Sequence, residues 1–357
     1  MKIAAYEVRP DEKPVIEARC KELGIELIST GSILDSSTVE MSKGCDGVTT
    51  LGQSDFSKSI LDTMVENGVK VQAFRCVGYD YIDVPYAREL GLRITHGSYA
   101  PNGVAEYTVM AILMSIRKAK KALYNTNDND FTLKGKMSRE LRSLTVGVIG
   151  AGKIGYTVIK ILSGFGCRIL AYDMYQNDAV KEYATYVDLD TLYKESDVIT
   201  LHTNLSESTE NMIDGEALSK MKNGVVLVNN ARGGLMDIDA IIDGVESEKI
   251  GALFMDAFPG EEGIIHIPHD EDIIRTPGMP YFKLKYLRSF VNVIHTPHMA
   301  FFTEEAGSLV EYLGKRYNTT DIMSILVSEK MKMGFVTEQV KLRDVPHQVT
   351  QKNIFKK

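Results

Sequence analysis

Short apolar runs alternate with longer amphipathic segments along most of the chain, which is the pattern of α/β folds with parallel sheets. In the first hundred residues, this pattern predicts strands at Lys2–Tyr6, Glu26–Ile28, Gly47–Thr50, Val71–Arg75 and Arg93–Thr95. Segments with helical spacing lie between them, among them Pro14–Leu23 and Ile60–Glu66. The sequence therefore predicts one small doubly wound domain in this part of the chain.

A second set of strands begins after Leu144 and consists of more continuous Val, Ile and Leu runs, as in strands covered on both faces. The predicted strands are Val146–Ile149, Arg168–Tyr172, Val198–Leu201, Val225–Asn229, Ala252–Met255 and Val291–His295. Six strands separated by helices match the number in a full dinucleotide-binding sheet. We therefore expect a second α/β domain of that kind.

Three further segments connect or follow these sheets. Apolar residues recur at near-helical spacing over Gly103–Lys121, which predicts one long helix, and the polar stretch 125–130 after it is predicted to be a loop. Another helix is predicted over Thr303–Val327. Residues 330–357 carry seven Lys or Arg and two acids, and we interpret them as a basic, solvated tail.

Composition and charge exclude several classes of protein. The 357 residues carry a net charge of −7 without a dominant basic block, which argues against a nucleic-acid binder. No apolar run reaches the length of a membrane span, and the N-terminal apolar stretch is too short for a signal peptide. The four cysteines lack metal-ligand spacing, and the His- and acid-containing stretch 263–279 is too irregular to predict a metal site. We expect a cytoplasmic protein without metal, nucleic acid or membrane partners.

A glycine-rich turn follows the first strand of the second sheet. Gly150, Gly152 and Gly155 form a GxGxxG pattern between that strand and a helical segment, the context in which glycines admit a pyrophosphate to a helix N-terminus. Asp173 ends the next strand, where an acid accepts hydrogen bonds from ribose hydroxyls and repels a 2′-phosphate. Because no Arg or Lys follows at once to bind such a phosphate, the sequence predicts NAD rather than NADP.

Polar residues follow three later strands, at the sheet edge where ligands of open α/β sheets bind. Arg232 follows the strand that ends at Asn229, Glu261 and Glu262 lie beyond Asp256, and His298 follows the last strand. A guanidinium can hold a carboxylate or polarise a carbonyl, and a histidine can exchange a proton near neutral pH.

Several segments together resemble one known family, the D-isomer-specific 2-hydroxyacid dehydrogenases. The chain is most similar to the D-lactate, D-2-hydroxyisocaproate and VanH-like members of that family. The resemblance covers about residues 1–328 and is densest between 144 and 302. The segments that carry it are RCVGYDYID (75–83), SYAPNGVAEYT (98–108), TVGVIGAGKIG (145–155), NNARGGLMD (229–237), MDAFPGEE (255–262) and HTPHMAFFTEEA (295–306).

The resemblance implies a fold and a set of catalytic residues. It implies a flavodoxin-like substrate domain of residues 1–100 and 300–332, a Rossmann NAD-binding domain of residues 101–299 inserted into it, and a tail of residues 333–357. Arg232 would bind the substrate carboxylate and carbonyl, and His298 would be the acid/base. Glu261, rather than Glu262, would be the partner of His298, since it lies five positions after Asp256 as in the lactate-type members.

The resemblance also implies residues that bind substrate and cofactor. The implied substrate-binding residues are Val77, Gly78, Tyr99 and Phe301. The implied cofactor-binding residues are Gly150, Gly152, Lys153, Ile154, Gly155, Asp173, His202, Thr203, Asn230, Ala231 and Asp256. Tyr99, Phe301 and Phe302 could instead be core residues, and Asp237 could lie near the cofactor or cap a helix. Asn204 departs from the family, which usually has proline there.

The implied activity is NADH-dependent reduction of a small 2-keto acid to the D-2-hydroxy acid, of the D-lactate dehydrogenase type. The substrate would lie in a cleft between the domains, and the protein would form a homodimer with a contact near Gly103–Lys121. The alternative is an NADH-sensing, corepressor-like binding protein that keeps the same motifs. A formate dehydrogenase is disfavoured by Glu261, and a phosphoglycerate dehydrogenase by the short chain after the last helix. The preferred keto acid is left open.

Overall fold

The structure, a computed structural model, describes residues 1–97, 100–261 and 279–303. They form two compact units, one of residues 1–97 and one of residues 100–261 and 279–303. The predicted helix after Thr303, the second segment of the substrate domain beyond that residue and the tail 333–357 lie outside the described residues. Across the described ranges, no helix has both the length and the apolar character needed to cross a membrane.

The first unit contains one parallel sheet. Its strands are β1 (Lys2–Ala5), β2 (Glu26–Ser29), β3 (Gly47–Thr50), β4 (Val71–Phe74) and β5 (Arg93–His96). Its helices are α1 (Lys13–Glu22), α2 (Lys58–Glu66) and α3 (Val84–Glu89). The strand order is β2-β1-β3-β4-β5, which is the flavodoxin-like order. The predicted doubly wound domain is confirmed, and each of its five predicted strands is present within a residue or two.

Alternation along β1 places apolar side chains on both faces of this sheet. Ile3 and Ala5 pack in one apolar cluster, whereas Ala4 and Tyr6 pack in the other. Because helices cover both faces of the sheet, a ligand can reach it only at the ends of the strands. At the carboxyl end, each strand continues into a loop. The loops at this edge are therefore the positions available for binding a ligand.

The second unit contains a larger parallel sheet. Its strands are β6 (Thr145–Ile149), β7 (Arg168–Tyr172), β8 (Thr185–Tyr186), β9 (Val198–Leu201), β10 (Val225–Asn229), β11 (Ile250–Met255) and β12 (Val293–His295). Its helices are α4 (Asn102–Ile116), α5 (Ala119–Asn127), α6 (Lys153–Ser163), α7 (Asp178–Lys181), α8 (Leu189–Glu195), α9 (Gly215–Lys220), α10 (Ile238–Glu246) and α11 (Met279–Ser289). The strand order is β12-β11-β10-β9-β6-β7-β8.

This order is the Rossmann order with one strand added beyond its sixth position. The predicted six strands were one too few, because β8 was not predicted. This strand has only two residues, Thr185 and Tyr186. Such a short strand has no periodicity of its own, and it forms because it pairs with β7. All six predicted strands are present, and the fold class of two doubly wound α/β domains is confirmed.

The prediction of one helix over Gly103–Lys121 was wrong. The helix α4 ends at Ile116, Lys118 takes the left-handed conformation at φ 53°, and α5 starts at Ala119. The change of direction lets the Lys120 ammonium donate to the carbonyls of residues 288, 290 and 293 at 2.7–2.8 Å. These acceptors lie about 170 residues away, so no local pattern could show them. Since α5 runs to Asn127, the predicted loop 125–130 is also helical in its first half.

Candidate active site

The glycine-rich turn lies between β6 and α6, and each of its glycines meets a different requirement. Gly150 has φ 89°, and a side chain there would press on the backbone of His202 and Thr203. A Cβ on Gly155 would lie 1.9 Å from the carbonyl oxygen of Gly150. Gly152, in contrast, faces open space and begins α6 as its N-cap residue. The open position lies beside a helix N-terminus, the arrangement that binds a pyrophosphate.

Asp173 lies at the carboxyl end of β7, directly beside this turn. Its carboxylate accepts hydrogen bonds from the N–H of Ala151 at 2.6 Å and of Tyr175 at 2.8 Å. A ribose next to the pyrophosphate would therefore meet a carboxylate held in place by the turn itself. The residues present fit the adenosine half of NAD.

Three adjacent parallel strands deliver the predicted catalytic residues to the same sheet edge. Arg232 follows β10, Glu261 lies in the segment after β11, and His298 follows β12. The first two segments touch closely, because a Cβ on Gly233 would lie 2.1 Å from the backbone of Phe258. The glycine next to Arg232 therefore allows its loop to pack against the loop that carries Glu261.

Glu261 and His298 form a direct pair. The Oε1 atom of Glu261 lies 2.7 Å from Nδ1 of His298, and its Oε2 accepts a hydrogen bond from the Phe258 N–H at 3.1 Å. The two side chains are 10% and 24% exposed. A carboxylate so placed orients the imidazole through Nδ1, and Nε2 is the ring atom that could exchange a proton with a ligand.

Asp256 holds the loop that carries His298. Its buried carboxylate accepts hydrogen bonds from the Thr296 hydroxyl at 2.5 Å and from the N–H groups of Met299 at 3.0 Å and Ala300 at 2.8 Å. His298 itself is left-handed at φ 52°. Such a conformation persists only where surrounding bonds fix it, and it is typical of functional sites. Asp256 thus lies at the predicted site, with its side chain directed to this loop.

A second histidine, His295, lies near the same carboxylate. Burial, together with the positive charge of Arg288, lowers the pKa of His295 to about 4. Its ring packs edge-on against Phe258 at 5.2 Å between centroids. Because a ring of that pKa is neutral at pH 7, His295 does not carry a proton to donate there, and His298 is the better candidate for the acid.

His202 and Asn230, two of the predicted cofactor residues, line the inner part of the site. The backbone of His202 contacts Gly150, and its Nε2 lies 3.0 Å from the Thr200 hydroxyl. Loss of surrounding water lowers the pKa of His202 to about 3, so this ring is neutral. The amide of Asn230 donates to the Thr108 hydroxyl at 3.1 Å and anchors the Arg232 loop to α4.

The predicted substrate-binding residues are distributed over both units. Val77 and Gly78 follow β4 in the first unit, and within the described residues neither of their N–H groups donates a hydrogen bond. Phe301 lies in the second unit with its ring 6.5 Å from that of His298. Tyr99 lies outside the described residues.

Sequence reasoning missed two residues that shape this site. Asn229 is fully buried, accepts from the Ala231 N–H at 3.1 Å and donates to the Arg232 carbonyl at 2.8 Å. Phe258 supplies the N–H that binds Glu261. The signal for Asn229 was an amide side chain at the end of an apolar strand, whereas nothing local marks Phe258.

Asp237, for which the sequence left open a place near the cofactor or a helix cap, caps α10. Its side chain accepts hydrogen bonds from the N–H groups of Asp239 at 2.9 Å and of Ala240 at 3.3 Å.

Comparisons with known proteins identify the family of this chain. Residues 109–300 match a family model described as the D-isomer specific 2-hydroxyacid dehydrogenase, NAD binding domain. An aromatic 2-oxoacid reductase of Clostridium sporogenes is 39% identical over 310 residues, which are 86% of this chain and 92% of that protein. A D-lactate dehydrogenase of Lactobacillus delbrueckii subsp. bulgaricus is 38% identical over 308 residues, which are 85% and 91% of the two chains.

A solved structure shows the same likeness in three dimensions. The D-lactate dehydrogenase from Aquifex aeolicus complexed with NAD and lactic acid matches with a TM-score of 0.82 at 29% identity. The match covers 92% of this chain and 97% of that one. The chain therefore belongs to the D-isomer-specific 2-hydroxyacid dehydrogenase family, with residues 109–300 in its NAD-binding domain.

Proposed function

We propose that the chain is an NADH-dependent 2-oxoacid reductase of the D-lactate dehydrogenase type, which also runs in reverse. The observation that carries the proposal is the pair of Glu261 and His298, 2.7 Å apart, with the loop of Glu261 packed against that of Arg232. The relatives named as D-lactate dehydrogenase and aromatic 2-oxoacid reductase support this reaction class.

Each residue of the proposed site has a distinct task. When bound, NADH supplies the hydride that reaches the carbonyl carbon of the oxoacid. Arg232 binds the substrate carboxylate and stabilises negative charge on the carbonyl oxygen. His298 donates a proton from Nε2 to that oxygen, and Glu261 stabilises the imidazolium before the transfer. The N–H groups of Val77 and Gly78 add hydrogen bonds to the substrate carboxylate.

The test is the loss of NADH absorbance with pyruvate, 2-oxoisocaproate and phenylpyruvate, repeated with NADPH, followed by chiral analysis of the product. We expect oxidation of NADH in preference to NADPH and a product of D configuration. The ranking of the three oxoacids identifies the substrate, since each methylene changes selectivity by about 1–3 kcal/mol. Tight NADH binding without turnover of any oxoacid would instead favour the NADH-sensing alternative.

Arg232→Lys tests the role of the guanidinium. Lysine keeps the positive charge but cannot form a two-pronged contact with a carboxylate or span two oxygens. We expect kcat/KM for the oxoacid to fall about 100- to 1,000-fold, while the KM for NADH stays close to that of the wild type. An equal loss of NADH affinity would show that Arg232 does not act on the oxoacid.

We also propose that two copies associate through residues 119–138. The helix α5 has no buried residue, and large apolar side chains in and after it are exposed by 63–88%: Leu123, Tyr124, Phe131, Leu133 and Met137. So many large exposed apolar side chains within twenty residues of the chain favour an interface. Leu133→Lys with Met137→Lys should halve the mass measured by light scattering. Phe282→Lys, elsewhere on the surface, is the control that should leave the mass unchanged.

A further inference from the structure

The first unit contains an unusual residue at the end of β1. Glu7 has φ 55°, in the left-handed region that residues other than glycine, asparagine and aspartate avoid. Its side chain is also buried. A glutamate that is both buried and left-handed must be held by specific partners. In Glu7, both the backbone carbonyl and the side-chain carboxylate accept hydrogen bonds.

The carboxylate of Glu7 is bound by three successive backbone N–H groups after β3. Oε1 accepts from Gln53 at 2.6 Å, and Oε2 accepts from Gly52 at 2.9 Å and from Leu51. A row of N–H groups that converges in this way is an anion-binding concavity. Gly52 has φ 114°, and a Cβ there would lie 2.6 Å from the Tyr81 ring, so the row depends on this glycine.

Arg75 holds the backbone of Glu7 from the other side. Its buried guanidinium donates from Nη2 to the carbonyls of Tyr6 at 2.8 Å and of Glu7 at 3.0 Å. The same nitrogen lies 3.6 Å from the Glu12 carboxylate. The left-handed turn is therefore fixed by a buried cation, which directs the Glu7 side chain toward the loop of residues 51–53.

This arrangement lies at the ligand-binding edge of the first sheet. In a sheet of order 2-1-3-4-5, ligands bind where the strand order reverses, between the carboxyl ends of the first and third strands. Glu7 follows β1, and the 51–53 loop follows β3. The neighbouring strand, β4, leads into Val77 and Gly78. Just beyond the two strands, the Arg75 N–H donates a hydrogen bond to the Thr50 carbonyl at 2.7 Å. The 51–53 loop therefore borders the loop proposed to bind the substrate carboxylate.

We propose that Glu7 is a positioning residue, whose carboxylate fixes the 51–53 loop as a wall of the pocket for the oxoacid side chain. This proposal rests on the proposed function. Without the carboxylate, three N–H groups lose their acceptor and the loop is free to move away from the substrate. Because the proton donor His298 is in the second unit, chemistry on a bound substrate is preserved, and the loss falls on substrate binding and selectivity.

Two variants and one matched control test the proposal. Glu7→Gly removes the carboxylate and relieves the left-handed backbone, and Glu7→Gln leaves a single oxygen for three donors. Glu248→Gly is the control, because Glu248 is also left-handed, at φ 58°, but is exposed and in the second unit. We expect Glu7→Gly to raise the KM for the oxoacid about 10-fold or more, with unequal changes for pyruvate and phenylpyruvate. We expect kcat and the KM for NADH to stay within about twofold of the wild type.

Formate provides a readout that a purely structural role would not give. It can fill the vacated anion site in Glu7→Gly and should bring the KM for the oxoacid back toward the wild-type value, whereas in wild type and Glu248→Gly it should act at most as a weak competitor. Unchanged KM values and selectivity in both Glu7 variants would overturn the proposal, as would equal loss of kcat and NADH affinity without rescue by formate. A wild-type protein that turns over no oxoacid would overturn the proposed function itself.

Discussion

The substitution Glu261→Gln removes one negative charge from the contact with His298 and leaves the size of the side chain almost unchanged. In the structure, Oε1 lies 2.7 Å from Nδ1 of His298 while Oε2 accepts from the Phe258 N–H. Glutamine has one acceptor oxygen, so it can keep only one of these two bonds. The variant therefore retains the packing of the site and loses the stabilisation of the imidazolium.

The magnitude of the loss follows from the burial of the pair. Hydrogen bonds to charged groups contribute about 1.5–3 kcal/mol. The two side chains are only 10% and 24% exposed, so screening by water reduces this value little. Since each 1.36 kcal/mol corresponds to about a tenfold change in rate, we expect kcat/KM for reduction to fall about 10- to 100-fold.

The assay compares both directions of the reaction, with NADH and the best oxoacid and with NAD and the matching D-hydroxy acid. Because the substitution cannot change the overall equilibrium constant, we expect kcat/KM to fall by a similar factor in both directions, with the affinities for NADH and NAD unaltered. Glu262→Gln is the matched control, because it removes the same charge from the next residue of the sequence. If Glu261→Gln keeps the wild-type kcat/KM, or if Glu262→Gln loses as much, the charge of Glu261 does not act through His298.

Three other substitutions test the parts of the second unit around this pair. Gly152→Ala should keep the thermal midpoint but weaken NADH binding measured by fluorescence, because its Cβ occupies the open position beside the helix N-terminus. Gly155→Ala should unfold the domain, because its Cβ would lie 1.9 Å from the Gly150 carbonyl oxygen. His202→Gln should flatten the acid side of the stability curve measured with urea. In the folded wild type the pKa of His202 is about 3, below the usual 6.5 of the unfolded chain. Between these two pH values the folded protein binds fewer protons than the unfolded chain, so its stability falls as the pH falls. Asp256→Ala should lower the free energy of unfolding by about 2–4 kcal/mol and abolish most activity, because three donors of the His298 loop lose their acceptor.

Local sequence patterns marked the secondary-structure elements and the cofactor turn. Short runs rich in apolar and β-branched residues marked each strand of the described ranges except β8, because strands covered on both faces bury most of their side chains. The glycine pattern at 150–155 marked the cofactor turn, because close backbone approach excludes side chains wherever it occurs. Arg232, Glu261 and His298 were singled out because they follow buried strands and match segments of the family. The structure places all three after adjacent strands, since the carboxyl ends of parallel strands share one edge.

Other features of the molecule depend on partners that are distant in the chain and become visible only in the folded structure. The break at Lys118, the two-residue strand β8 and the binding of Glu7 by the 51–53 loop each need acceptors or donors that lie far away in sequence. The same holds for Asp256, whose three donors follow it by about 40 residues. Local periodicity reports which face of an element is apolar, but a hydrogen bond between two segments exists only once packing has brought them together.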